Sequence, residues 1–324
     1  MDASSVGSMP VAVHATGNGA LVIGTDDGEW LMLAKPGEQL ASLPSTGPVS
    51  DAVVAIDGTL YVACWEPRLE QLRDGAWREV PLETPATALA ATPTGLVIAD
   101  IGGGLSVLAN DADLTIAPRQ ILSSQEPLVS LVSLAGGVVG LGASGSVEIT
   151  AWPGEPDDPL EAIHTGTIGR AHAIFAGMAE GTAMIAGARG LGILDAENRR
   201  LIAVTTELGE RIAGGIPFAD RRRAFVYGDD GGGWIVDELL SRQVRVNLGA
   251  AVSGAAAHGD GTVLAWTADG ALHSISHDGS SYRIVDGDVV LAAPELARVD
   301  TATIAIHWSR STGTRVTRGH VPWN

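Results

Sequence analysis

The chain repeats itself, and the spacing of the repeat limits what it can fold into. The stretch from Val252 to Ser276 reads VSGAAAHGDGTVLAWTADGALHSIS. The segment that begins at Val49 aligns with this stretch without a gap. The segment that begins at Gly19 aligns in the same way with the part that begins at Gly261. Both shifts are whole multiples of about 40 residues, which predicts a chain of structural units of that length.

Each unit is predicted to be a small antiparallel sheet of four strands. Short apolar runs are separated by turns such as Asp-Gly and Ala-Asp-Gly, and a more polar fourth run follows them. A period of about 40–45 residues is typical of the four-stranded blades of a β-propeller. One such sheet cannot bury enough apolar surface alone, so the units must stack, and a ring leaves only short strand edges exposed. The units begin near Pro10, Pro48, Ala86, Leu128, Thr167, Ile212, Ala251 and Asp288.

We therefore predict an all-β chain that forms a single propeller domain over residues 1–324, with eight blades. Seven blades is the alternative, with the residues after position 288 as an appendage. The eighth unit lacks a convincing outer strand, while residues 3–9 precede the first unit without an inner strand of their own. The N-terminal segment is therefore predicted to supply a strand that closes the last blade.

The turn residues agree with strands throughout the chain. Asn18-Gly19, Asp57-Gly58 and Asp260-Gly261 accept positive φ at both positions, so each predicts a two-residue hairpin turn. The 42 glycines suit a fold with frequent tight turns. Only residues 207–212 and 237–241 hint at short helical turns.

Two stretches carry a resemblance to a known group of proteins. Residues 19–31, GALVIGTDDGEWL, and residues 57–63, DGTLYVA, resemble repeats of the quinoprotein and WD40-like β-propeller superfamily. The resemblance extends over nearly the whole chain and implies the fold. The repeated Gly-His and Trp-Asp signatures of WD40 proteins are absent, and only Trp30 and Trp234 occupy similar third-strand positions. The resemblance therefore implies neither a particular WD40 partner nor quinone binding.

The charge of the chain bears on its partners. Thirty-eight Asp and Glu residues against 20 Lys and Arg residues give a net charge of −18. A negative field disfavours nucleic acid, whose phosphates bind Lys and Arg, and it permits basic protein partners. Lys35 is the only lysine in a chain rich in Ala, Gly, Val and Asp, which is typical of a GC-rich bacterial genome.

The sequence predicts a cytoplasmic location. The N-terminal sequence MDASSVGSMP has neither the basic region nor the apolar run of a signal peptide. No stretch approaches the ~20 consecutive apolar residues that a membrane span needs. Cys64 is the only cysteine, which excludes an internal disulfide and fits a reducing compartment.

The loops between the second and third strands of successive units are predicted to gather on one face of the ring. Trp and Arg are enriched where partners bind most tightly, and Trp65 and Trp308 stand where Asp, Ser or Arg would satisfy a turn. Turn chemistry is the alternative explanation for the acids, because Asp-Asp-Gly and Ala-Asp-Gly form turns readily. The candidate partner-binding residues are Trp65, Glu66, Trp308, Arg310, Asp229, Asp230, Asp26 and Asp27.

The sequence offers no catalytic or metal-binding constellation. It has no Gly-x-Ser-x-Gly elbow, Cys64 has no identifiable histidine partner, and the Gly-Gly-Gly runs lack the Lys-Ser/Thr of a phosphate loop. The acidic turns do not match a calcium loop, and the histidines are isolated from one another. We therefore expect neither a cofactor nor a metal. The basic run 221–223 is predicted to be a solvated loop on the opposite face.

These observations favour a non-catalytic propeller that serves as a protein-interaction scaffold in a bacterial multi-protein system of a regulatory or defence type. The alternative is an enzyme or small-molecule binder that uses the central channel. Convergent polar groups in the channel would favour that alternative, whereas a lining of Ala, Gly and Val would oppose it. A third hypothesis is a homo-oligomer assembled through the eighth unit. The candidate channel residues are His14, His172, Asp100 and His307.

Overall fold

The part of the chain that the structure describes is built of β-strands. A computed structural model describes residues 10–15, 21–25, 30–33, 41–43, 49–55, 57, 59–73, 76–110, 114, 117–135, 137–151, 160–208, 212–228, 230–241, 243–257, 261–267, 272–285 and 306–307. Every regular element among these residues is a β-strand. None of them forms a helix that is long and apolar enough to cross a membrane.

The first four sheets follow one another along the chain. The first contains β1 (Pro10–Ala15), β2 (Leu21–Thr25), β3 (Trp30–Leu33) and β4 (Ala41–Leu43). The second contains β5 (Val49–Val54), β6 (Leu60–Cys64), β7 (Arg68–Arg73) and β8 (Ala76–Pro81). The third contains β9 (Ala86–Thr92), β10 (Gly95–Asp100), β11 (Gly104–Ala109) and β12 (Arg119–Ser123). The fourth contains β13 (Leu128–Leu134), β14 (Gly137–Gly142), β15 (Val147–Ala151) and β16 (Glu161–Ala162).

Three further sheets repeat the same plan. The fifth contains β17 (Ala171–Ala176), β18 (Thr182–Gly187), β19 (Gly190–Asp195) and β20 (Arg200–Thr205). The sixth contains β21 (Ile212–Pro217), β22 (Arg223–Gly228), β23 (Gly232–Asp237) and β24 (Gln243–Asn247). The seventh contains β25 (Val252–Ala257), β26 (Val263–Thr267), β27 (Leu272–Ile275) and β28 (Ser281–Val285). In all seven sheets, strands that are consecutive in the chain pair antiparallel.

The repeat predicted from the sequence is confirmed as a set of four-stranded antiparallel sheets. The first strands begin at Pro10, Val49, Ala86, Leu128, Ala171, Ile212 and Val252. Six of these lie within one residue of the predicted start of a unit. The fifth sheet begins at Ala171 and not at Thr167, because Thr165 and Ile168 form a turn before it, in which the Ile168 N–H donates to the Thr165 carbonyl over 2.9 Å.

The end of the chain contributes one more described strand, β29 (Ile306–His307). It pairs antiparallel with β1, with Ala12 opposite His307 and Val13 opposite Ile306. It also contacts β25 of the seventh sheet. The predicted start of the eighth unit at Asp288 and the predicted closing segment 3–9 lie outside the described residues.

The predicted two-residue turn at Asp57-Gly58 is wrong. Val54 pairs with Leu60, and between them the Ala55 N–H donates to the Thr59 carbonyl over 2.8 Å. The Asp57 carboxylate accepts from the Thr59 N–H over 3.0 Å. This side-chain contact favours a wider loop, because Asp bonded to the backbone two residues later forms a turn of its own. Residues 237–241, which hinted at a helical turn, form the turn between β23 and β24.

The core lies between the faces of neighbouring sheets. Phe175, Met184 and Leu191 of the fifth sheet form one buried cluster with Val226 and Val236 of the sixth. The third and fourth sheets, and the sixth and seventh, share clusters of the same kind. The first strands β5, β9, β13, β17, β21 and β25 contact one another in that order. The sheets are therefore arranged like propeller blades, with their first strands innermost.

Each inner strand carries a β-bulge at its second residue. The register skips one residue in the pairing of every first strand with its second strand. A bulge leaves the extra residue unpaired and redirects its side chain. The bulged residues are Val11, Ser50, Thr87, Val129, His172, Ala213 and Ser253.

Three bulged side chains join one sheet to the next. The Ser50 hydroxyl donates to the Ala86 carbonyl over 2.8 Å. The Thr87 hydroxyl donates to the Leu128 carbonyl over 2.6 Å. In each case the acceptor is the first residue of the next inner strand, and the partners are 36 and 41 residues apart. We call these contacts the blade staples; His172 forms the third.

Candidate functional site: the loop face

The sheets present a continuous surface at the end where their inner strands begin. In a sheet of four consecutive antiparallel strands, the loop after the second strand and the exit from the fourth lie at the end where the first strand starts. We call this surface the loop face. It comprises loops 65–67, 101–103, 143–146 and 188–189 and the connections 82–85, 124–127 and 163–170 between sheets.

Backbone hydrogen bonds fasten each connection to the loops on both sides. The Leu82 N–H donates to the Pro67 carbonyl, and the Ile101 N–H donates to the Pro85 carbonyl, each over 3.0 Å. The next connection repeats the pattern, with Ser124 donating to Gly103 over 2.8 Å. The surface is therefore a repeating backbone frame, as expected where buried or partly buried N–H groups must find partners.

Gly103 shows how closely the loop 101–103 approaches the connection 124–127. Its φ is +87°. A Cβ at this position would lie 2.9 Å from the carbonyl oxygen of Ser124 and 3.2 Å from that of Glu126. Neither the conformation nor the space suits any residue with a side chain. Gly102 and Gly103 thus form the turn before β11 and allow the connection to pack against it.

Glu126 fastens the loop of the fourth sheet to the connection before it. Its carboxylate accepts from the Ser144 N–H over 2.6 Å, from the Ser144 hydroxyl over 2.5 Å and from the Ser146 hydroxyl over 2.6 Å. Burial disfavours the charged carboxylate, but these hydrogen bonds and the nearby Arg170 guanidinium outweigh burial and lower the pKa of Glu126. The Glu126 side chain therefore holds the loop of the fourth sheet against the connection 124–127.

Trp65 presents its side chain outward from this frame. It follows Cys64, which is fully buried at the end of β6, and the residue is 41% exposed. Glu66 beside it has a side chain that is 59% exposed. Ordinary turn chemistry does not require a large aromatic side chain at such a position. The structure thus places Trp65 and Glu66 on the predicted face.

Ile101 is the residue that the sequence reasoning missed. It occupies the first position of the loop in the third sheet, as Trp65 does in the second, and it is 45% exposed. The corresponding positions in the next two sheets hold the small residues Ala143 and Ala188. Aligning the loops by their position after the second strand would have singled out Ile101 together with Trp65.

A group of carboxylates surrounds one guanidinium beside Trp65. Arg68 lies 3.1 Å from Glu66, 3.5 Å from Glu70 and 3.9 Å from Glu79, measured between guanidinium nitrogens and carboxylate oxygens. Glu70 stands directly opposite Glu79 in the pairing of β7 with β8. Burial raises the pKa of Glu70, the Arg68 charge opposes that rise, and the charges of Glu79 and Glu66 add to it. Like charges opposite each other destabilise a sheet.

Two acids of the face are explained by turn chemistry. Asp230 accepts from the Gly232 N–H over 2.9 Å. Asp100 accepts from the Gly102 N–H over 2.7 Å and from the Gly104 N–H over 2.8 Å. These are bonds that Asp makes within its own turn. The other predicted partner-binding residues, Asp26, Asp27, Asp229, Trp308 and Arg310, lie outside the described residues.

Two of the four candidate channel residues make structural hydrogen bonds, and the side chains of the other two lie outside the described part of the structure. His172 Nε2 lies 2.9 Å from the Ile212 carbonyl, which can only accept, so this ring nitrogen donates. His172 is therefore the third blade staple, and Asp100 is a turn residue. His14 and His307 lie on the paired strands β1 and β29, and their side chains are outside the described part of the structure.

Few ionisable residues lie on six of the inner strands. Across β5, β9, β13, β17, β21 and β25, the only ionisable side chains are those of Asp51 and His172. Asp51 is 2% exposed, and its carboxylate accepts from the Leu89 N–H of the next inner strand over 2.8 Å. Most of the other residues on these strands are Ala, Val, Leu, Ile and Gly. Within the described residues, no three His, Cys, Asp or Glu side chains converge as metal ligands would.

Comparison with known proteins relates this chain to others by fold alone. No protein-family model matches it, and no curated protein matches it. Among solved structures, 1601 chains match. At identities this low, the resemblance establishes a propeller fold like that of WD40 proteins and no particular activity.

Three of these structures illustrate which kinds of protein share the fold. The WD40 β-propeller domain of Doa1 is 12% identical, with a TM-score of 0.57 over 74% of this chain and 82% of that one. A chain of the mitotic checkpoint complex is 13% identical, with a TM-score of 0.63 over 88% and 94%. The dihydro-heme d1 dehydrogenase NirN, in complex with DHE, is 14% identical, with a TM-score of 0.67 over 87% and 68%.

Proposed function

We propose that this chain is a non-catalytic propeller scaffold that binds another protein on its loop face. One observation carries the proposal. The loop face exposes Trp65 and Ile101 on a frame of backbone hydrogen bonds, while Asp51 and His172, the ionisable residues of β5, β9, β13, β17, β21 and β25, are used in contacts between sheets. Exposed aromatic side chains on rigid loops are typical of protein interfaces and cost little entropy to immobilise.

The likeness to a chain of a checkpoint complex agrees with a role in assembly. The proposal extends to a bacterial multi-protein system of a regulatory or defence type and to a cytoplasmic location. The net charge of −18 favours a basic protein partner over nucleic acid. Trp308, Arg310, Asp229, Asp26 and Asp27 remain predicted members of the same face.

The architecture proposed for this scaffold is one propeller domain over residues 1–324. Eight blades fit the eight units of the repeat, and β29, the described part of the eighth unit, pairs with β1 and contacts β25. Residues 3–9 are proposed to supply the outer strand that the eighth unit lacks and so to complete the ring. The seven-bladed alternative would keep the residues after position 288 as an appendage to the seven sheets of the described part.

A quantitative capture experiment tests the scaffold function. The tagged protein is crosslinked in its native host, and partners are quantified for the wild type and for two double variants. Trp65→Ala with Ile101→Ser removes exposed apolar groups from the loop face. Leu239→Ser with Val244→Ser removes two exposed apolar groups elsewhere, Leu239 in the turn between β23 and β24 and Val244 on β24.

We expect one stoichiometric partner that is lost in the loop-face variant and retained in the control. Equal capture by both double variants would place the binding surface elsewhere and would contradict the proposal. Circular dichroism confirms that each variant keeps its β-sheet content before the comparison is made.

An enzyme or small-molecule binder that uses the central channel is the second candidate. The likeness to NirN, a dehydrogenase solved with a ligand, favours it. Thermal-shift measurements with a panel of metabolites, including haem, test this candidate. A saturable rise of the melting temperature with one compound would support it, whereas the scaffold function predicts no such compound.

A further inference from the structure

The exposed apolar groups of the described loop face are concentrated on two adjacent sheets. Trp65 belongs to the second sheet and Ile101 to the third, and the connection 82–85 is hydrogen-bonded to the loops of both. We call this surface, residues 65–67, 82–85 and 101–103, the Trp65–Ile101 ledge. Because the backbone of the ledge is held at both ends of the connection, a ligand would meet a preformed surface.

The ledge is bordered by carboxylates. The side chains of Glu66 and Glu79 are 59% and 63% exposed, and Glu83 is exposed on the connection itself. Among the described residues here, Arg68 is the one cation placed within 4 Å of the glutamates. The border therefore carries an excess of negative charge beside the two apolar side chains.

The arrangement of these acids is not the one that folding would favour. Glu70 and Glu79 face each other on paired strands, where like charges destabilise the sheet, and the one Arg68 guanidinium near them is shared with Glu66 as well. A Gln or Thr at position 79 would preserve the strand without this repulsion. A cation supplied from outside would relieve it, because an opposite charge within a few ångströms stabilises a carboxylate.

We infer that the Trp65–Ile101 ledge binds a basic protein segment in which Arg or Lys neighbours an aliphatic residue. The aliphatic residue packs on Ile101, and the cation lies near the indole of Trp65 and the carboxylates of Glu66 and Glu79. The inference rests on the proposed function and adds the chemistry of the partner. An acidic segment would be repelled, and so would a second copy of a chain that carries a net charge of −18.

The probes for this inference are three short fluorescent peptides of one design. Leucine alternates with arginine in the first, with glutamine in the second and with glutamate in the third. Binding to the full-length protein is measured by fluorescence anisotropy over a range of salt concentrations. The basic peptide is expected to bind, and its affinity is expected to fall with rising salt concentration, because exposed charge pairs are screened. The neutral and acidic peptides are expected to bind at least about tenfold more weakly.

Variants of the ledge, compared with control variants elsewhere, test whether the peptide binds there. Trp65→Ala is expected to weaken the binding of the basic peptide about 30-fold, as the loss of a central aromatic side chain does at other interfaces. Glu66→Gln together with Glu79→Gln is expected to weaken it about fivefold and to flatten the salt dependence. The controls are Leu239→Ala and Glu238→Gln, which alter an exposed apolar residue and an exposed acid in the turn between β23 and β24. Both controls are expected to leave binding unchanged.

Several results would overturn the inference. The glutamine peptide could bind as tightly as the arginine peptide, or Trp65→Ala could leave binding unchanged. Concentration-dependent mass that Trp65→Ala abolishes would make the occupant a second copy of the chain. If no peptide binds but the capture experiment still finds a partner lost with the loop-face variant, this inference fails and the scaffold function stands. If that partner is absent as well, both fail.

Discussion

Single residues at the start of the inner strands connect the sheets to one another. Ser50, Thr87 and His172 each use a bulged position to reach the first carbonyl of the next inner strand. Val129 and Ala213 occupy the same position and have no polar side-chain atom with which to make this bond. The staples therefore join some pairs of sheets and are missing from others.

Exchanging Val and Thr at these positions tests the energetic role of the staples. Thr87→Val has nearly the same shape but removes a buried hydroxyl that bonds the Leu128 carbonyl, so we expect the free energy of unfolding to fall by about 1–2 kcal/mol. Val129→Thr supplies a hydroxyl where the Ala171 carbonyl begins the next inner strand, and we expect a gain of about 0.5–1 kcal/mol. Urea denaturation of both variants measures the changes. Destabilisation by Val129→Thr would show that the staple geometry is not shared by all sheets.

Loops and connections form the next scale, and among them Glu126 accepts three hydrogen bonds. Its pKa is lowered in the folded protein, so the unfolded chain binds a proton first as the pH falls. The stability that Glu126 contributes is therefore present above its unfolded pKa and is lost as the pH falls through its folded pKa. The contribution of Glu70 to the pH dependence of stability has the opposite sign. Its pKa is raised in the folded protein, so its unfavourable charge is removed as the pH falls.

Replacing Glu126 by Gln tests this pH dependence. At neutral pH we expect Glu126→Gln to lower the free energy of unfolding by about 1 kcal/mol, since hydrogen bonds to an ion are lost at a partly exposed site. The two proteins should converge as the pH falls through the folded pKa of Glu126. Denaturation with urea at several pH values measures both quantities, with Glu197→Gln, an exposed acid elsewhere, as the control. A constant difference at every pH would contradict the assignment.

The elements were predictable from the sequence to different degrees. The shifts that align Val49 with Val252 located the strands, because a repeated phrase must form a repeated sheet. The turn at Asp57 was not predictable from its Asp-Gly pair, because the Asp57 side chain bonds Thr59 and widens the loop. The staple role of His172 was not predictable either, since it depends on a bulge that no sequence pattern marks.

The candidate site was predictable only in part. Trp65 was found because a tryptophan is unusual in a turn. Asp230 was named for the corresponding loop of the sixth sheet, although its carboxylate serves the turn. Ile101 was missed because a single isoleucine in an apolar chain gives no signal until the loops are aligned. The charge excess around Arg68 depends on the register that sets Glu70 opposite Glu79, which the spacing of residues in the chain does not reveal.

At the scale of the whole molecule, the propeller fold does not choose a function. Proteins 12–14% identical to this chain share the fold, and their names range from a checkpoint complex to a dehydrogenase. What distinguishes this chain is the location of its exposed and ionisable groups. Apolar and acidic side chains lie on the loop face, while the described inner strands are mostly aliphatic.

Hydrogen–deuterium exchange of the protein, with and without the partner that it captures, tests this account most directly. We expect new protection in peptides that cover residues 65–67, 82–85 and 101–103, because a docked protein shields their amides. Peptides from inner strands β13, β17 and β21 should exchange as before. Protection confined to the inner strands, with the loop face unchanged, would contradict the account and would point to the channel as the site of binding.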